Sequence, residues 1–90
     1  MRFSEHLRRT EKILGKHYRE VHVWLDEFEK NYCNNDKYKH RKHRHHIEGI
    51  FEVIDLFGLE AGLAATIHVM DDNSGMIPKK EDYDIIEYRD

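Results

Sequence analysis

Residues 39–49, KHRKHRHHIEG, concentrate metal-ligand and cationic residue types in one short run. The run holds four histidines, four lysines or arginines and one glutamate, and the other two of its eleven positions are Ile47 and Gly49. Imidazole nitrogens and carboxylate oxygens are ligands for zinc, manganese, iron and nickel. The same side chains would also suit a cationic surface for an acidic protein or nucleic acid, or a solvated helix face. Three interpretations of this run therefore have to be compared.

A second group of histidine and acidic residues follows in ATIHVMDD, residues 65–72. His68 and Asp71 are three positions apart, so on a helix they share one face. If the two stretches form antiparallel helices that turn near Gly58, His46 lies beside both of them. Metal sites in helical bundles are built from ligands on facing helices in this way. The spacing therefore favours a metal site that joins the two stretches.

The histidines of the run differ in their expected direction on a helix. With 100° per residue and Ile47 at the centre of the buried stripe, His40 and His43 lie close to that centre. His46 lies on the flank of the stripe, whereas His45 points away and is expected to be exposed. A solvated helix would not require imidazoles on its buried side.

The N-terminal part of the chain adds two further candidates. His22 and Asp26 are four positions apart in VHVWLD and share one helix face. A hairpin between the first and second helices brings them level with His43. Imidazole and carboxylate groups from three helices would then meet, and whether His22, Asp26, His43 or His45 join the site stays open.

A metal-bound water would give such a site hydrolytic chemistry. Glu48 and Asp72 are the candidates for a general base. No HExxH or CxxC motif accompanies them. Cys33 is the only cysteine, which excludes a disulfide within the chain and a four-cysteine zinc site.

Hydrophobic spacing predicts the helices that position these residues. They are expected at about 4–31, 37–57 and 59–71, followed by a tail at 72–90. Turn formers in NYCNND and DDNSG, together with Gly58, separate these elements. Ninety residues suffice for a single domain, 1–90. We therefore predict an all-α fold, a compact three-helix bundle with the C-terminal tail packed across it.

Glycine and alanine positions indicate where helices approach each other closely. Ala61, Gly62, Ala64 and Ala65 leave room for a neighbouring helix beside the third one. Gly49 is unusual inside a helix, where glycine costs about 1 kcal/mol relative to alanine. It therefore indicates a close helix crossing or a ligand near its backbone.

Charge is distributed unevenly along a chain whose net charge is -3. Residues 37–46 hold five lysines or arginines and no acid, whereas residues 71–90 hold seven acids and three bases. We therefore expect the acidic tail to lie on the basic block, with these groups close together: Asp82, Asp84 and Glu87; Lys39, Arg41, Lys42 and Arg44. Because the net charge of the whole chain is negative, an acidic protein is a more plausible partner for the basic block than nucleic acid is. The N-terminal sequence has no apolar run, so we expect a soluble, cytoplasmic protein without a membrane span.

The succession HRKHRHHIEG, LFG, AATIHVMDD and IPKKEDY resembles a family of small uncharacterised proteins of bacteria and phages. The resemblance spans about residues 40–83, with Val69 in place of the family's isoleucine. It falls on His40, Arg41, Arg44, His45, His46, Glu48, Gly49, Phe57, Gly58, His68, Asp71, Ile77, Pro78, Asp82 and Tyr83. It implies that the ligands are His40, His46, His68 and Asp71 rather than His43 or His45. A more distant likeness to HD-type phosphohydrolases implies a metal-dependent hydrolase, although their adjacent His-Asp pair is absent here.

We therefore predict a small divalent-metal-binding helical protein whose ligands are His40, His46, His68 and Asp71. A metal-dependent hydrolase is the enzymatic form of this prediction. The alternative is a metal-free interaction module, such as a phage-type accessory protein, that binds an acidic protein or nucleic acid through its basic helix. Elemental analysis of the purified protein separates the two classes.

Overall fold

The computed structural model describes residues 2–27 and 44–87, with side chains described as far as Tyr83. The helices within these residues are α1 (Phe3–Leu14), α2 (Arg19–Leu25), α3 (Ile47–Phe57), α4 (Leu59–Asp72) and α5 (Lys80–Glu87). These described residues contain no strand, and the prediction of an all-α fold is confirmed. None of these helices is long and apolar enough to cross a membrane.

The stretch predicted as a first helix at 4–31 contains two helices, α1 and α2. Gly15 adopts a left-handed conformation, φ 84°, and its amide donates to the Glu11 carbonyl, which ends α1. Tyr18 precedes α2 and is also left-handed, with φ 52°. The hydrophobic repeat continues across this break, so spacing alone did not reveal it.

Helix α3 begins later in the chain than the second helix predicted at 37–57. Residues 37–43 lie outside the described part of the chain, and α3 begins at Ile47 with His46 as its extended N-cap, φ -154° and ψ 174°. The Nδ1 atom of His46 accepts a hydrogen bond from the Gly49 amide at 2.9 Å. Because the chain bends at His45 and His46, between the helical residue Arg44 and α3, the helical phase of α3 does not extend back to His45. The expectation that His45 is exposed is wrong, since its side chain is completely buried.

Gly49 lies where the chain entering α3 passes over the first turn of the helix. A Cβ atom at this position would be 2.0 Å from the Arg44 carbonyl oxygen and 2.8 Å from its carbonyl carbon. The close approach expected at Gly49 is therefore made by the preceding backbone. Since backbone cannot rotate away as a side chain can, this contact requires glycine.

We expect Gly49→Ala to lower the free energy of unfolding by about 3 kcal/mol, near the upper end of overpacking effects. Gly62→Ala is the matched control, because its Cβ would meet the Ile54 side chain, at 2.4 Å from Cγ1. Rotation of Ile54 about χ1 can relieve this contact at some cost in strain, and alanine favours the helix, so the loss should be smaller, about 1–2 kcal/mol. Urea unfolding measures both values. Equal losses would show that Arg44 does not hold its backbone over Gly49.

The packing of α3 against α4 forms the most extensive helix contact in the described structure. Gly58 separates the two helices with φ 102°. The small side chains of α4 are buried against α3, and Gly62 lies under Ile54. The close helix approach predicted from these small residues is confirmed. The hydrophobic core contains Val21, Leu25, Ile50, Val53, Ala61, Ala64, Ala65 and Val69.

Histidines occupy much of the remaining interior. The buried polar side chains are His6, Thr10, His22, His45, His46 and His68. Among the described residues, three of the eight members of this core cluster are alanines, so imidazole rings fill space that larger apolar groups usually occupy. Buried polar groups of this kind need hydrogen bonds or ligands.

The C-terminal segment packs onto the start of α3. The Ile47 amide donates to the Pro78 carbonyl at 2.8 Å, and the Lys80 amide donates to both Glu48 carboxylate oxygens at 3.1 Å. Of the residues predicted to pair the tail with the basic block, only Asp82 and Arg44 have side chains within the described part of the chain. The other predicted pairs lie outside it. Asp82 instead accepts from the Lys79 amide at 2.8 Å, close to the start of α5.

Candidate metal centre

Two helices of the fold each carry a His-x3-Asp pair that faces the interior. His22 lies on α2 with Asp26 at its C-cap, and His68 and Asp72 lie on α4. A spacing of four places both side chains of each pair on one helix face. His45 reaches the same point from the turn before α3. We call the following four residues the buried centre: Asp26, His45, His68 and Asp72.

Ligand atoms of the buried centre lie unusually close together. The Nε2 atoms of His45 and His68 are 3.0 Å apart. The Oδ1 atom of Asp26 is 3.3 Å from the first and 3.2 Å from the second. The Oδ2 atom of Asp72 is 3.4 Å and 3.3 Å from the same two nitrogens. Both nitrogens thus face both carboxylates.

These separations suit a small divalent ion. A tetrahedral zinc ion with bonds of about 2.0 Å holds its ligand atoms roughly 3.3 Å apart. Asp26, His45 and His68 form one of the groups that could hold a metal ion. The two imidazoles and two carboxylates also match the nitrogen and oxygen ligands that zinc, manganese, iron and nickel accept.

The buried centre is closed on most sides. The side chains of His45 and His68 have no exposed surface, and that of Asp72 is 8% exposed. Asp26 is the most exposed of the four at 16%. Burial alone would raise the pKa of Asp72, but hydrogen bonds from His45, His6 and His68 hold it far below its usual value. The charged carboxylate is therefore kept inside the fold by its histidine neighbours.

A hydrogen-bond chain fixes the proton positions on His22 and His68. The Thr10 hydroxyl donates to the His6 carbonyl at 2.9 Å, so it accepts from Nε2 of His22 at 2.8 Å. Burial, then the charges of His68 and His6, lower the pKa of His22 to about 3. Neutral His22 has its proton on Nε2, so its Nδ1 must accept from Nδ1 of His68, at 2.6 Å.

This assignment leaves Nε2 of His68 to interact with the carboxylates of Asp26 and Asp72. Burial alone would lower the pKa of His68, but hydrogen bonds to the two carboxylates raise it. A lone pair on Nε2 would repel both carboxylates, so the atom needs either a proton or a metal ion. A proton and a bound ion would therefore compete for the same position.

His6 supports the buried centre from α1. Its Nε2 atom lies 3.2 Å from Oδ1 of Asp72, and its ring stacks on that of His68 with centroids 3.7 Å apart. Its buried Nδ1 has no hydrogen-bond partner within the described residues. His6, His22 and His68 are a second group that could hold an ion. The 2.6 Å contact between His22 and His68 is, however, shorter than the spacing of two ligands on one ion. This geometry suits rings that would orient ligands rather than share an ion.

Of the four ligands predicted from the sequence, three lie within the described residues: His46, His68 and Asp71. His68 lies in the buried centre. Asp71 pairs with Arg9 at 3.2 Å, and His46 caps α3 and packs edge-on against Tyr83 with ring centroids 6.3 Å apart. His40 lies outside the described residues, as does His43. His46 and Asp71 are not members of either candidate metal group.

The two predicted general bases also separate. Asp72 belongs to the buried centre, whereas Glu48 is half-exposed and caps the Lys80 amide. Burial alone would raise the pKa of Glu48, but hydrogen bonds from backbone amides, that of Lys80 first, lower it. The sequence leaves open whether Asp26 and His45 join the site. The repeated His-x3-Asp spacing was the signal for Asp26 and Asp72.

A comparison with known proteins places the chain within a family but gives no activity. Residues 1–87 match the family model described as Domain of unknown function (DUF6915). The resemblance to an uncharacterised family is confirmed at that level. No curated protein and no solved structure matches the chain significantly.

Proposed function

We propose that this chain, which belongs to the DUF6915 family, binds one divalent metal ion through the buried centre. The supporting observation is the spacing of three ligand atoms, from Asp26, His45 and His68, which lie 3.0–3.3 Å from one another. Asp72 supplies the fourth ligand. Its Oδ2 faces the same two nitrogens at 3.3–3.4 Å.

Charge balance supports an ion in this position. Two buried carboxylates are costly unless positive charge lies beside them. A divalent ion with two neutral imidazoles carries two positive charges, which match the two negative charges of Asp26 and Asp72. It also replaces the proton that Nε2 of His68 otherwise needs. The ion would thus occupy a site whose surroundings already carry the matching charge.

The enclosure of the buried centre favours a structural ion. Structural zinc sites have four protein ligands, whereas catalytic sites keep one position open for water or substrate. Here four side chains are available, and only Asp26 has appreciable exposure. We therefore propose metal binding that stabilises the fold, with zinc as the best match and manganese, iron or nickel as the other candidates. Hydrolase activity would require Asp26 to leave an open position beside the ion.

The test is zinc titration of chelator-treated protein by calorimetry, with elemental analysis of the loaded protein. We expect one ion per chain. Asp26→Asn should weaken binding by more than roughly 100-fold, because loss of an outer-shell partner alone costs 10–100-fold.

Asp71→Asn is the matched control, since it removes the same charge from a carboxylate that pairs with Arg9. Its zinc affinity should stay close to that of the wild type. A greater loss in Asp71→Asn than in Asp26→Asn would support the ligand set predicted from sequence. Absence of zinc binding by the wild type would refute the proposal.

A further inference from the structure

We propose that Tyr83 is a positioning residue for the metal centre, because it holds the backbone of the ligand His45. The proposal rests on the function proposed above. The Tyr83 hydroxyl donates to the His45 carbonyl oxygen at 2.5 Å, and the tyrosine side chain is almost completely buried. Tyr83 touches the ligand's backbone and would act on the ion only through it.

The backbone of His45 is held in place differently from that of His68, the other proposed histidine ligand. His68 lies within α4, and its ring is fixed by the hydrogen bond to His22. His45 lies in the turn before α3, where no regular helix fixes the backbone. A ligand on such a turn needs contacts from elsewhere in the fold to keep its position.

The neighbouring backbone of this turn is held from two directions. On one side, the Arg44 guanidinium lies 3.9 Å from the centroid of the Trp24 ring and donates to the Trp24 carbonyl at 2.6 Å. On the other side, the C-terminal segment bonds to Ile47 and Glu48 through Pro78 and Lys80. Tyr83 extends these contacts to His45 itself. The turn is thereby clamped between α2 and the C-terminal segment.

This arrangement links metal binding to docking of the C-terminal segment. If a docked Tyr83 improves the position of His45, an ion on His45 must favour docking by the same free energy. The amide of Ile47 reports this docking, because it donates to the Pro78 carbonyl. Its hydrogen exchange should slow when zinc is added.

The experiment compares zinc affinities of full-length Tyr83→Phe, Tyr18→Phe and wild type. We expect Tyr83→Phe to weaken binding 10–100-fold, the effect of losing an outer-shell partner, and to alter the visible spectrum of bound cobalt. Tyr18→Phe removes the same hydroxyl from a tyrosine whose pKa is raised to about 12, chiefly by Glu60, and Glu60 lies eight positions or roughly 12 Å along α4 from His68. Its affinity should stay within about twofold of wild type.

Glu48→Gln provides a second variant in case Tyr83→Phe folds poorly. It weakens the contact with the Lys80 amide while leaving Tyr83 and all four ligands in place. We expect it to lower the zinc affinity two- to fivefold and to speed hydrogen exchange at Ile47.

The inference is overturned if Tyr83→Phe binds zinc as tightly as Tyr18→Phe with an unchanged cobalt spectrum. If Tyr83→Phe does not fold, wild-type affinity in Glu48→Gln overturns it instead. A wild type that binds no zinc refutes the proposed function, and this inference with it. Wild-type binding with equal affinities in the variants refutes this inference alone.

Discussion

Zinc should raise the free energy of unfolding of the wild type by about 2.7 kcal/mol at a free concentration 100 times its dissociation constant. His68→Ala should abolish this gain. The ion binds only the folded chain, because unfolding separates His68 from Asp26 and His45. For a domain of this size, each kcal/mol corresponds to roughly 4–8 °C in melting temperature. Thermal unfolding with and without chelator measures the effect.

His17→Ala is the control for the loss of a histidine. His17 is exposed and pairs with Glu11 at 3.0 Å, so the variant should keep the full zinc-dependent gain. His68→Ala should also be less stable than wild type in chelator, because it removes a buried ring and leaves the carboxylates without it. The zinc-dependent difference is therefore the decisive quantity. Equal destabilisation of His68→Ala with and without chelator would indicate ordinary packing.

The free energy of unfolding of the metal-free protein should be greatest near pH 6.5 and fall on both sides. His22 has a pKa of about 3 when folded and about 6.5 when unfolded. Between these values the unfolded chain binds more protons, so stability falls with falling pH, by up to about 1.4 kcal/mol per pH unit. The lowered pKa of Asp72 adds to this loss once the pH falls toward about 4, where the unfolded carboxyl takes up a proton.

The loss of stability at alkaline pH comes from a different group, His68. The pKa of His68 is raised in the folded protein, so the folded state keeps a proton that the unfolded state releases above about pH 6.5. Stability is therefore lost as the pH rises through the folded pKa. Zinc should remove this loss, because the ion replaces the proton on Nε2. The stabilisation by zinc should thus increase with pH.

Urea unfolding from pH 5 to 9, with and without chelator, tests both sides. His22→Gln should flatten the acidic side, because it removes the group that stays neutral when folded. An alkaline loss that persists in saturating zinc would contradict the assignment of Nε2 of His68 as a ligand.

The fold class and the helix hairpin could be predicted because local patterns determine them. The small residues of α4 and the stop at Gly58 were sufficient for the contact between α3 and α4. The break at Gly15 was not predictable from hydrophobic spacing, since the apolar repeat continues beyond it. A histidine N-cap is also uncommon, because serine, threonine, aspartate and asparagine lead at that position. A helical phase extended back from Ile47 therefore gives the wrong direction for His45, which is buried.

The candidate site could be predicted in part for a related reason. His68 followed from its spacing, but Asp71 and Asp72 are neighbours that both suit a ligand pair with it, at three or four positions. Tertiary contacts decide between them, because Arg9 pairs with Asp71 and His6 with Asp72. Neither partner lies near the histidine run in sequence. Only the folded chain shows which carboxylate faces His68.

The proposed ligands of the buried centre come from three separate segments of the chain. His45 and His68 alone are 23 residues apart, and Asp26 precedes both. An ion held by all three segments would be a cross-link that exists only in the folded chain. It would therefore stabilise the fold through its binding free energy, whereas a disulfide acts by restricting the unfolded chain. A covalent link that closes a 15-residue loop contributes about 3 kcal/mol. With a single cysteine, the chain cannot form an internal disulfide. A bound metal would join its three segments in the folded state instead.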